Sequence, residues 1–103
     1  MSPEITKRMD ALEELCRRFH VHRLEVFGSV ATGHERPGES DIDFLVEFER
    51  PVPGTLADAY FGLLEALEAL FDRHVDLVDA SAIRNPYFRE SVDESKKLVY
   101  AAA

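Results

Sequence analysis

The sequence predicts a single α/β domain over residues 1–103, of the α+β kind: a small mixed β-sheet with helices packed mainly on one face. Three observations predict it. Two long stretches repeat apolar residues at helical spacing, Ile5-Met9-Leu12-Cys16-Phe19 and Leu56-Tyr60-Leu63-Leu67-Phe71. Short strand-like runs, Leu24–Phe27, Asp41–Phe48 and His74–Val78, alternate with them. The order strand, long helix, strand over residues 41–78 is that of a crossover, which joins parallel neighbours.

In chain order, Ser2-Pro3-Glu4 opens a helix with a serine cap, proline at the first helical position and an acid in the first turn. One amphipathic helix is expected over residues 3–19, with Cys16 as a small buried hydrophobe on its apolar stripe. His20 and His22 read as solvated loop residues before the first strand, Leu24–Phe27. Residues 29–33 form a turn of helix closed by Gly33. The Pro37-Gly38 loop covers residues 34–39. In the second strand Ile42, Phe44 and Val46 point into a core, while Asp41 and Asp43 point the other way with Leu45.

Pro51-Val52-Pro53-Gly54 ends that strand. Thr55, with Asp58 three residues on, opens the longest helix, residues 55–72. Phe61 and Leu70 widen its stripe, which fits a homodimer or partner face as well as a broad core stripe. In the third strand Val75 and Leu77 face the core and Asp76 the opposite side. Asp79 and Asn85-Pro86 are further helix starts, and Lys96–Tyr100 adds a short terminal strand.

Composition narrows the function. A net charge of −8 lacks the basic face of a nucleic-acid binder. A single cysteine leaves no internal disulfide and no metal-site spacing. No apolar run is long enough for a bilayer and no leader pattern is present, so a cytoplasmic location is expected.

The chemistry concentrates in Gly28 to Val46, GSVATGHERPGESDIDFLV. Asp41 and Asp43 share a strand face about 6.5–7 Å apart, where two like charges repel and burial makes ionising both harder. A bound divalent cation relieves that conflict. The Gly28-Ser29 turn offers backbone N–H groups and a hydroxyl to a phosphate. Together these point to a nucleoside triphosphate–Mg²⁺ site, with Asp76 as a third carboxylate if it lies beside Asp43. Arg36 could reach triphosphate oxygens from its loop or simply be solvated. His74 is either a ligand beside Asp76 or a solvent-facing strand-edge residue. Ser29 has no triad partners and is read as a phosphate binder.

With G-S, then S-D-I-D, then an aspartate in V-D-L-V, the sequence resembles the nucleotidyltransferase superfamily built on the polymerase-β-like palm. Its size and its ending, RNPYFRESVDESKKLVY, are similar to the minimal nucleotidyltransferases, the MNT group. These typically sit beside a HEPN-domain ribonuclease toxin and act as its antitoxin. The resemblance covers nearly the whole chain. It implies Gly28 and Ser29 as the phosphate-holding turn, Asp41 and Asp43 as metal carboxylates, and Asp76 as a carboxylate that binds metal or helps deprotonate the acceptor. It further implies ATP as substrate, two Mg²⁺ ions, and transfer of AMP to a tyrosine of the partner toxin. Thr32 stands where the family often has arginine, a cation that Arg36 or the partner would then have to supply. Two other readings follow from the same residues: an antitoxin that inhibits by complex formation alone, and a small-molecule nucleotidyltransferase that completes its cleft by self-association.

Overall fold

A computed structural model describes residues 1–34 and 40–103. Among these the order is α1 (Pro3–Thr6), α2 (Met9–Arg18), β1 (Val21–Phe27), α3 (Ser29–Thr32), β2 (Ile42–Phe48), α4 (Leu56–Phe71), β3 (Val75–Asp79), a 3₁₀ turn (Ala80–Ala82), α5 (Pro86–Ser95) and β4 (Lys97–Ala101). The strands form one mixed sheet in the order β3-β2-β1-β4. β1 runs antiparallel to β2 and β4, while β2 and β3 are parallel and joined through α4.

The expected helix over residues 3–19 is two helices. In an unbroken helix the Glu4 carbonyl would accept from the Arg8 N–H. Here the Arg8 guanidinium donates to that carbonyl at 3.2 Å, and the Arg8 N–H turns to Ile5 O at 3.0 Å. The apolar stripe survives the break, with Ile5, Leu12 and Cys16 all fully buried. Burial pushes the Cys16 thiol up to about 12, with Glu13 adding to the shift. β1 begins three residues before its expected start, and His22, expected in a loop, lies within it. His20, at φ 61°, makes the turn ahead of it.

The main core lies between the sheet and α2 with α4: Ile42, Phe44, Val46 and Phe48 from β2 meet Leu12, Leu63, Leu67 and Phe71. The opposite face is covered in part. Leu45, Phe27 and Val92 of α5 are buried there together, which accounts for the apolar residue on the aspartate side of β2. Thr55 caps α4 by accepting from the Asp58 N–H at 3.1 Å, and Asn85 caps α5 by accepting from the Tyr87 and Phe88 N–H groups. On α4, Leu70 packs against the core, but Phe61 is 62% exposed and does not widen the buried stripe.

Side chains of α4 close polar groups on β3, an edge strand. The Glu68 carboxylate accepts from the Val75 N–H at 3.1 Å, and the Tyr60 hydroxyl donates to Leu77 O at 2.6 Å. Edge strands carrying such partners are poor templates for another chain.

Candidate active site

Parallel pairing of β2 and β3 sets Asp43 directly opposite Asp76. Successive strand side chains alternate, so Asp43 and Asp76 leave the core face together while Phe44 and Leu77 enter it. The two carboxyls lie close enough for Asp43, when protonated, to donate to Asp76. Asp41, one residue before β2, approaches from the same end: its Oδ2 lies 3.2 Å from His74 Nδ1, which is 3.8 Å from Asp76 Oδ1. Ligand atoms of Asp41, His74 and Asp76 all fall within 4.8 Å of one another, and all three residues are exposed.

Asp43 is the strained member. Its carboxyl is pushed up to about 6, first by burial, then by the hydrogen bond its protonated form donates to Asp76 and by the charges of Asp76 and Asp41, with His74 pulling the other way. Tyr60, in the same cleft, is also raised, by burial and by the charges of Asp79 and Asp76.

Gly28 lies against this carboxylate. A Cβ on Gly28 would fall 2.5 Å from Asp43 Oδ2, and its φ of 72° with ψ of −150° belongs to glycine almost alone. Its N–H donates to Ser95 Oγ at 3.0 Å, so Gly28 contributes through its conformation and close approach. The N–H groups of Ser29, Val30 and Ala31, in the first turn of α3, have no acceptor inside the helix. Thr32 folds back on this turn, its hydroxyl donating to Gly28 O at 3.2 Å, and presents no charge. Arg36 lies outside the described residues.

Arg73, its side chain largely enclosed, braces the cluster from behind. Its guanidinium bonds Glu4 of α1 and the carbonyl of Ser40, the residue before Asp41. A cleft of about 540 Å³ opens beside the acids, lined among others by Asp43, Asp76, Phe27 and Phe88. Arg73, Ser95 and Phe88 were not among the residues predicted from sequence. Ser95 meets Gly28 across 67 residues, and no local pattern signals such a contact.

The Nucleotidyltransferase domain family matches residues 8–99. Protein adenylyltransferase MntA of Thermococcus cleftensis is 42% identical over 73 residues, 71% of this chain and 70% of that one. Among solved structures, a chain provisionally described as a minimal nucleotidyltransferase superposes with a TM-score of 0.75 at 37% identity, covering 94% of this chain and 95% of its own. A toxin–antitoxin structure with AMP-PNP superposes at 0.70 with 23% identity, over 91% of this chain and 73% of that one, a likeness of fold.

Proposed function

The chain belongs to the nucleotidyltransferase domain family, and from that premise we propose that it is an antitoxin-type enzyme, a protein adenylyltransferase. In this reading one domain, residues 1–103, transfers AMP from ATP to a tyrosine hydroxyl of a partner HEPN ribonuclease toxin and so silences it. The relatives carry the name protein adenylyltransferase, and fold neighbours at lower identity are toxin–antitoxin chains. The observation that carries the reading is the gathering of three aspartates: Asp41 and Asp76 converge, Asp43 stands opposite Asp76, and Gly28 lies against Asp43.

The donor set fits a hard divalent cation. Carboxylate oxygens of Asp41 and Asp76 converge, and Asp43 is held toward protonation by neighbours whose repulsion a cation would relieve. Imidazole is a poorer partner for magnesium than carboxylate, so Asp41, Asp43 and Asp76 hold the ions and His74 stands beside them. Bound Mg²⁺, two ions in this reading, supplies neutralisation of the charge that builds on the triphosphate. The chain's own residues do the positioning. Gly28 lets the backbone approach, and Ser29 and the N–H groups after it receive phosphate oxygens. Arg36 is assigned to the triphosphate as well. The acceptor hydroxyl attacks the α-phosphorus, the bond from that phosphorus to the β-phosphate oxygen breaks, and pyrophosphate leaves. The hydroxyl proton passes to a carboxylate oxygen of Asp76. Orientation and electrostatics provide most of the acceleration in such transfers.

A second reading is favoured by one observation: Thr32 offers its hydroxyl to its own helix where the family often has a cation. In it the domain silences the toxin by complex formation alone. Incubation with labelled ATP, Mg²⁺ and the partner toxin separates the two. Label on the partner, lost when Asp41→Ala and Asp43→Ala are combined, is the expected result. Inhibition that survives the double change with no label transferred would leave the binder.

A further inference from the structure

The cleft beside the acids has two chemical characters. Asp43 and Asp76 give it charge; Phe27, Phe88 and Val78 give it an apolar wall. At about 540 Å³ it is of the size that holds a small ligand. Phe88 is the unusual member of that wall. Its ring partner Phe27 is buried, yet Phe88 remains 40% exposed in the cleft it shares with Asp43 and Asp76. An exposed phenyl ring gains nothing from an acidic, hydrated surface unless something apolar covers it.

The ring is also held in place. Asn85 caps α5 through the N–H groups of Tyr87 and Phe88 themselves, and Val92, one turn on, anchors the helix in the sheet face. Phe88 meets Phe27 edge to face, with ring centroids 6.1 Å apart and planes at 80°. That arrangement leaves at least one face of the Phe88 ring uncovered by its partner. A fixed aromatic face sharing a cleft with a carboxylate cluster is an arrangement on which a planar nucleobase can stack.

We propose that Phe88, backed by Phe27, is the base-binding platform of the site, taking the purine of a nucleoside triphosphate whose phosphates lie toward the acids. This rests on the nucleotide reading given above. Stacking accepts any base but favours the larger π-surface of purines, so Phe88 sets a preference for purine over pyrimidine nucleotides.

Calorimetry in Mg²⁺ with two probes tests it: a non-hydrolysable ATP analogue and inorganic tripolyphosphate. The intact protein should bind the analogue on the order of tenfold more tightly than tripolyphosphate. Phe88→Leu, which keeps the apolar packing but removes the ring, should abolish that margin and leave tripolyphosphate affinity unchanged. Phe88→Trp should keep it. As the chain has no other tryptophan, its fluorescence should be quenched by the analogue and not by tripolyphosphate. Equal binding of both probes by the intact protein, or a margin that persists in Phe88→Leu, overturns the platform alone. The same holds if Phe88→Leu keeps the margin and loses only transfer to the partner, which would give the ring to the acceptor. Binding of neither probe by the intact protein overturns the platform together with the nucleotide site.

Discussion

At Asp43 the demands of folding and of chemistry conflict. The fold sets a half-buried carboxyl opposite a second one, and its pKa rises from 3.8 to about 6. The folded chain therefore binds a proton more tightly than the unfolded chain does. Stability from this group is fully present below about pH 4 and is lost as pH rises through 6. Asp43→Asn, which cannot ionise, should melt higher than the parent at pH 7.5, and the gap should close by pH 4; thermal unfolding at both values checks this. At Gly28, a Cβ meets Asp43 Oδ2 and the backbone sits where side chains are strained. Gly28→Ala should cost about 1–3 kcal/mol in denaturant unfolding, and should weaken binding of an ATP analogue by displacing Asp43. The carboxylates were legible in the sequence because a strand repeats every two residues, so D-x-D declares a shared face. That Asp76 stands opposite Asp43 depends on strand register, which neither segment states alone. For His74 the sequence left ligand and solvated readings open, and its distances to Asp41 and Asp76 come from the turn between α4 and β3.

Among the elements, the caps were the most legible features. Thr55 and Asn85 each start a helix by accepting N–H bonds one turn ahead, as their local sequence announces. The break between α1 and α2 was hidden because the apolar stripe runs through it unaltered. What decides it is a side chain, Arg8, taking the carbonyl that the backbone would have used. Arg73 shows the same limit. No local pattern marks it, yet its side chain is only 7% exposed and ties α1 to the segment entering β2. Arg73→Ala should cost about 1.5–3 kcal/mol in chemical denaturation, the usual cost of losing hydrogen bonds to a buried charged group. Because Ser40 precedes Asp41, it should also weaken binding of Mg²⁺ with nucleotide, and Arg73→Lys should restore only part of either loss.

For the molecule as a whole, the crossover from β2 through α4 to β3 was predictable, since short loops and a long helix leave parallel pairing as the simple solution. The place of β4 beside β1 was not, because that pairing joins the two strands across most of the chain. Nor was the second small core under α5, which turns one end of the aspartate face into a wall. No helix among the described residues is long and apolar enough to cross a membrane.

The lone cysteine supplies an unmodified reporter of all this. Cys16 has no exposed surface and its thiol resists ionisation, so a disulfide dye should react with it only in molecules whose α2 has lifted from the sheet. The labelling rate then measures how often the domain opens. Adding an ATP analogue with Mg²⁺ should slow the dye in proportion to how tightly the native state holds the ligand, which turns one sulfur atom on the other face of the sheet from the acids into a gauge of their occupancy.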